Sequence, residues 1–435
     1  MTKIFETECC VTRLGLAGAM LRIEQVSRAK TQLVLASFFA LAVAGFTSPS
    51  EGADAPVLKD ARYTISLFAN APAIHTPIGA AVDQHDRLFV LESHTISPPP
   101  DYAGPKTDRI KIFADEDHDG KPDRVTIFAE DIKTGMNLTI APDDIVYVAA
   151  SRVVLRLADT DGDGRADQRT PILQLQTPDT YPMGYLVGPV IGADGWLYVS
   201  FNEWFFPWKL IGSDGSKIEG GSGGDGVVRC RPDGTELQRV ATGFWNPFAL
   251  TLDQEGRLLA IDNDPVSRGP NRLVHVIPGA DYGHCWLYGL AGNHPLNGWN
   301  GDLPGTLPPI GAVGESPSGL MVCATGRFPS DFASSLLVST WGSNAIERHE
   351  LTWKGNDAKV DRSVWIQGGS QFHPIALTQD NRGVVYITDW VVNDYHSHGY
   401  GRIWRVSPKK DVRLESPKAV TQMWQLRPPQ TKDGI

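Results

Sequence analysis

Apolar and polar residues alternate along much of this chain, in short runs that double back across turns rich in glycine, asparagine and aspartate. The clearest case is Gly243–Arg272. An Asn-Pro entry (Asn246, Pro247) leads into Phe248–Asp253, a Glu-Gly turn and a returning run, Arg257–Ile261. The polar burst Asp262, Asn263, Asp264 follows. Period-two alternation around a glycine turn predicts a β-hairpin. The same pattern recurs at Ile78–Glu92, Met136–Ser151, Val187–Phe201, Pro317–Trp341 and Pro374–Trp390. Spacings of about 50–70 residues belong to propellers and arrays. Further strand-like runs lie between the copies: Arg109–Phe113, Arg124–Phe128, Val153–Leu157, Gly226–Arg231 and Arg272–Ile277. Each unit therefore holds four antiparallel strands, which predicts an all-β, six-bladed β-propeller. The last unit stops at its third strand, Gly401–Val406, and Tyr63–Phe68 stands ahead of the first unit as an orphan. Closure by that N-terminal strand removes the open edges.

The N-terminus has a different texture. Arg28 and Lys30 precede the apolar run Leu33–Phe46, and Ala53-Asp54-Ala55 follows. This is the order of a secretory signal, with cleavage expected after Ala55. The run is short for a membrane span, which needs roughly 20 residues; an uncleaved anchor is the alternative. A signal there makes the residues before Met20 an extension upstream of the usual start. The expected division is 1–55 as extension and signal, 56–406 as propeller and 407–435 as tail or linker.

Composition adds limits. A net charge of −10 argues against nucleic acid as the main partner. The 44 Gly, 31 Pro and 12 Trp suit a turn-rich β protein. Cys230, Cys285 and Cys323 form no disulfide framework and are expected to be buried as small apolar groups.

In a four-stranded blade, the first strand begins and the second ends on one face of the disc, which is where propellers bind ligands. The candidates sorted there are Glu92 and His94, Asn202 and Glu203, Asn246, Asp262 to Asp264, and Asp389 with Trp390. The opposite face receives two Asp-rich loops. Asp115, Asp117, Asp119 and Asp123 share the spacing D-x-D-x-D-G-x-x-D with Asp159, Asp161, Asp163 and Asp167. Alternate carboxylates suit a hard Ca²⁺ ion, and the glycine permits the sharp turn. Two structural calcium sites are expected.

The motifs Glu92–Thr95 (ESHT), the two Asp loops, Ala193–Ser200, Gly243–Leu250, Asp262–Gly283, Ser316–Gly319 and Asp389–Val406 together resemble a known family. It is the propeller domain of secreted planctomycete and verrucomicrobial dehydrogenases, which are often fused to a haem-binding domain. These are relatives of the soluble quinoprotein glucose/sorbosone dehydrogenases. The resemblance implies pyrroloquinoline quinone (PQQ) on the axial face, a sugar or polyol substrate and a cytochrome-type electron acceptor. The resemblance places the base within Tyr181–Tyr185; from loop position in this chain, the candidates are Glu92 or His94 as base and the Asp262–Asp264 loop for calcium or substrate hydroxyls. Arg268 or Arg402 would meet the cofactor carboxylates. Trp245, Asn246 and Trp390 would line the cofactor, and Asn202, Glu203, Asn263, Asp264 and Asp389 the substrate. The chain departs from this pattern at two points: 181–185 holds no His, and Trp245 stands where quinoproteins place Arg. Two other readings remain open: a propeller that binds carbohydrate or protein without catalysis, and a lactonase-like hydrolase with axial calcium ringed by Glu92, Asn137, Asn202, Asn246 and Asp262.

Overall fold

A computed structural model describes residues 55–178, 185–202, 206–221, 226–264, 270–285, 298–324 and 326–414. Six antiparallel sheets form a six-bladed propeller. The six hairpins predicted from alternation are the inner pairs of the blades. In blade one, Pro77–Val82 pairs with Leu88–Glu92; in blade four, Asn246–Leu252 pairs with Leu258–Asn263. The predicted closure is also found. Strand Tyr63–Asn70 pairs along Arg402–Pro408 and completes blade six.

Two additions were not expected. Val57–Leu58 pairs with Ile366 and Gln367 on the outer edge of blade five, so the N-terminal segment spans the seam between the last two blades. A hairpin from within blade three, Trp208–Gly212 with Lys217–Gly220, extends blade two to six strands. Its signal was present in the sequence as an Asp214-Gly215 turn flanked by alternation. What alternation lacks is any mark of the sheet a hairpin will join.

Every inner hairpin carries an irregularity at the start of its first strand, as at Pro77/Gly79, Gly135/Asn137 and Pro374/Leu377. A bulge bends its strand locally and re-aims the side chains there. The third inner-strand residue alternates between glycine in blades one, three and five (Gly79, Gly188, Gly319) and a larger residue in the others. A Cβ on Gly79 would sit 3.0 Å from the Asn137 Cα, and one on Gly188, at φ 58°, 3.2 Å from the Leu250 nitrogen. Glycine therefore lets neighbouring inner strands close around the axis.

The core lies between blades. One cluster brings Ile78, Met136, Tyr185, Val187, Ile375 and Trp390 together from four blades near the axis. Cys230 and Cys323 are buried as expected, whereas Cys285 is half-buried. Burial pushes the Cys230 thiol up to about 12, so it is inert at neutral pH.

Candidate functional site

The second strands of blades one and six end in Glu92 and Asp389, and that of blade four carries Asp262 one residue before its end, all three fully buried. Each carboxylate accepts backbone N–H groups from its own blade's entry. His75 donates to Glu92 at 2.8 Å, Asn246 to Asp262 at 2.7 Å and His373 to Asp389 at 2.9 Å. Each also pairs with a cation from the third strand. Lys111 reaches Glu92 at 2.8 Å, Arg272 reaches Asp262 at 2.5 Å, and Arg402 reaches Asp389 at 2.9 Å. Blade three makes the neutral version, with Asn202 Oδ1 accepting the Tyr185 N–H at 2.8 Å. These side chains fasten the start of the first strand to the end of the second. A charge taken out of water demands such partners.

The residues expected to do chemistry thus sit in a brace. Asp262 accepts from Arg272, which also donates to the carbonyls of Tyr282, Trp299 and Gly243, with Trp299 beneath the guanidinium at 3.4 Å. Burial pushes the Asp262 carboxyl up, against the pull of Arg272 and the backbone N–H groups. Arg402, expected at cofactor carboxylates, is engaged by Asp389 and by the Gln371 carbonyl. Asp389 also accepts from Trp404 Nε1 at 2.8 Å.

Glu92 lies within 3.1 Å of His94 Nε2, and His94 Nδ1 bonds the Tyr102 hydroxyl. Burial alone would raise the Glu92 carboxyl. The close approach of His94 and the Lys111 ammonium outweigh it and hold the carboxyl down to about 2. His94 is 1% exposed, so this dyad is closed to solvent. Asp108, not singled out from the sequence, accepts the His94 N–H at 2.6 Å and the Gly135 N–H at 2.8 Å. It ties the loop of blade one to the entry of blade two.

Around the axis lies a pocket of about 110 Å³. All six blades contribute to it: Ile78, Met136, Tyr185, Asn246, Ser318 and Ile375. Its mouth is aromatic. Trp341 and Tyr395 stack at 5.3 Å and 13°, and Trp390 lies beside them, its Nε1 donating to the Asp394 carbonyl. Asn263 lines the same space, and its buried Oδ1 has no hydrogen-bond partner among the described residues. Asn246, Asn263 and Trp390 therefore line one pocket. Trp245 packs edge-on against His284 at 5.1 Å, and Asp264 is buried with its N–H on Asn271 Oδ1. Neither lines the pocket. Glu203, Arg268 and most of 181–185 lie outside the described residues. Trp341 and Tyr395 were missed. The available signal was that Trp341 follows its second strand as Trp390 does, with Tyr395 five residues beyond Trp390 in the next blade.

PQQ is a flat tricarboxylate, and its fit depends on cations. Among the described residues no Lys, Arg or His lines the axial pocket. The nearby Lys111, Arg272 and Arg402 are paired within their own blades. The described residues do not fit the cofactor. The lactonase-like ring fares similarly, since Glu92 Oε1, Asn202 Oδ1 and Asp262 Oδ1 accept from the entry strands.

On the opposite face, ligand oxygens of Asp115, Asp117 and Asp123 lie within 4.8 Å of one another, as do those of Asp159, Asp161 and Asp163. Asp119 and Asp167 fall outside these groups. Asp167 instead accepts from the Thr160 N–H and hydroxyl.

Solved structures of similar fold include the PQQ-bound aldose sugar dehydrogenase of Streptomyces coelicolor. It is 17% identical, with a TM-score of 0.54 over 81% of this chain and 99% of that one. The soluble aldose sugar dehydrogenase of Escherichia coli, in its apo form, is 14% identical, with a TM-score of 0.52 over 80% and 100%. A carbohydrate-active enzyme of family AA12 from Trichoderma reesei is 12% identical, with a TM-score of 0.58 over 84% and 100%. At these identities the likeness establishes the propeller fold. No curated protein matches the sequence. One family profile matches residues 52–281, more than half of the 435-residue chain. The chain therefore belongs to the family described as a domain of unknown function, DUF7133.

Proposed function

We propose that the axial pocket binds a sugar or polyol and that the chain is an exported carbohydrate-recognising propeller. The observation that carries this reading is the pairing of an aromatic mouth, Trp341, Trp390 and Tyr395, with the unpartnered Oδ1 of Asn263. A sugar ring offers an apolar C–H face to an aromatic wall and hydroxyl donors to an amide oxygen. An uncharged ligand also suits a pocket whose neighbouring charges among the described residues, Lys111, Arg272 and Arg402, are paired within their own blades. Calcium in the two Asp loops would hold the turns of blades one and two, remote from the ligand. The apolar run Leu33–Phe46 supports export; among the described residues no helix is long and apolar enough to cross a membrane.

Titration with glucose, other aldoses and polyols, followed by tryptophan fluorescence, tests the proposal. Saturable quenching that Trp341→Ala weakens supports it. Absence of binding across the panel refutes it.

A second reading is oxidation of that sugar with PQQ on the same face and a cytochrome-type acceptor, as in the haem-linked dehydrogenases the motifs resemble. It is favoured by the sugar dehydrogenases of like fold. Arg268 is the cation the sequence offers for the cofactor carboxylates. Reconstitution with PQQ and Ca²⁺ separates the readings: quinone absorbance and sugar-dependent dye reduction support oxidation, and sugar binding without either supports recognition alone.

A further inference from the structure

The axial pocket is smaller than the ligand its walls suit. It holds about 110 Å³, whereas small-molecule sites begin at about 300 Å³. One wall must therefore move to admit a sugar. Of the described residues that line the pocket, Tyr395 alone is exposed, at 56%. Its ring lies almost parallel to Trp341, at 5.3 Å and 13°, and so covers indole surface on which a sugar would stack. His373 also packs against that indole, at 4.5 Å, but it is 3% exposed and its N–H is bound to Asp389 at 2.9 Å. Tyr395 is the side chain that can give way.

The segment carrying it has the construction of a hinged strap. Trp390 is buried at one end, and towards the other the Ser397 hydroxyl donates to the Ile96 carbonyl at 2.9 Å. From 392 to 396 the hydrogen bonds among the described residues stay within 390–396. Val392 N–H donates to the Trp390 carbonyl at 3.0 Å, and Trp390 Nε1 and His396 N–H donate to Asp394. Val391, at φ 74°, centres the strained form of the γ-turn, an outlier conformation for a β-branched residue. Strain of this kind collects at ligand clamps and switches. Its release would offset part of the stacking lost when the strap swings out.

We infer that Tyr395 is the gate of the axial pocket, an inference that rests on the sugar reading above. The stack on Trp341 is the closed state. A sugar binds by displacing the tyrosine ring and taking its place on the indole, with Trp341 and Trp390 as the remaining aromatic wall. Apparent affinity is then the intrinsic affinity scaled by the open fraction, which an aromatic stack of ordinary strength lowers about 2- to 10-fold.

Calorimetric titration with glucose, xylose and sorbitol tests the gate. Tyr395→Ala should bind about 2- to 10-fold more tightly than wild type. Tyr395→Trp widens the stack and should bind more weakly. Unchanged thermal midpoints verify that both variants fold, as expected for an exposed position. Nitration with tetranitromethane, mapped to Tyr395 by mass spectrometry, reads the stack directly. Bound sugar should raise the rate at Tyr395, and Trp341→Ala should raise it with no sugar present. Affinity that falls or holds in Tyr395→Ala, nitration that sugar suppresses, or nitration that Trp341→Ala leaves unchanged overturns the gate and leaves the sugar reading standing. No binding by either wild type or Tyr395→Ala overturns both.

Discussion

Two acidic groups in this molecule look alike in sequence and differ completely in the fold. Glu92, Asp262 and Asp389 stand at or next to strand ends on the axial face, are fully buried and are each met by a cation and backbone N–H groups. The aspartates of 115–123 and 159–167 project on the turn face, mostly exposed, with their oxygens gathered against one another. In the first group the protein itself has neutralised the charge, and the carboxylates are part of the scaffold. In the second, like charges are held together with the neutralisation left to solvent or an ion. The comparison teaches that an acidic burst after a strand marks a site only if its partners are missing.

The comparison is broken most severely by removing a cation from the buried group. Arg272→Ala leaves Asp262 charged in a fully buried position, at an expected cost of about 3–5 kcal/mol. The urea midpoint should fall sharply. Asp262→Asn with Arg272→Met removes both charges and should recover a large part of that loss. If Arg272→Ala leaves the midpoint where it was, the brace is not structural.

Acid titration tests the same group from the other side. The Glu92 carboxyl is held at about 2 in the fold, against about 4.5 when exposed. A depressed pKa contributes stability that is fully present above pH about 4.5 and is lost as pH falls toward 2. The contribution is of order 3 kcal/mol. In Lys111→Met the carboxyl loses one stabilising charge. Stability should fall at neutral pH, and its decline across that window should be shallower. Equal slopes in wild type and variant would show that Lys111 does not hold the carboxyl down.

The exposed group should respond to metal instead. At free Ca²⁺ one hundred times its dissociation constant, each occupied loop should add about 2.7 kcal/mol, raising the thermal midpoint by several degrees. Asp117→Asn and Asp161→Asn together should abolish the response while leaving the chelated protein little changed. A midpoint indifferent to Ca²⁺ in the wild type would mean that the loops are solvated turns.

The blades were legible because period-two alternation and a turn residue suffice to specify a hairpin, and six such hairpins specify a ring. The partners of the acidic residues were not. Arg272 lies 10 residues from Asp262, Arg402 13 from Asp389 and Lys111 19 from Glu92, spacings fixed by blade-loop lengths rather than by any local motif. Asp262 thus read as chemistry when it was packing, whereas Asn263 beside it does face the pocket. The step from one to the other is the strand pleat, which sends neighbours to opposite sides. Tyr395 was obscured by the polar residues around it, Asp394 and His396, which bond each other.

The smallest expected effects come from the axial pocket, and they sharpen the distinction most finely. Asn263→Ala removes the unpartnered amide oxygen and should cost about 1 kcal/mol of sugar affinity, near the value of one hydrogen bond. Because that oxygen bonds nothing in the described protein, the variant should keep its stability. Asp262→Asn, one residue earlier, should do the reverse, lowering stability with little direct effect on affinity in the folded protein. Measuring sugar affinity and urea midpoint on both variants therefore separates a ligand-facing side chain from a scaffold side chain at adjacent positions of one strand. If both variants move the same quantity, the division between an open pocket and a closed brace does not hold at blade four.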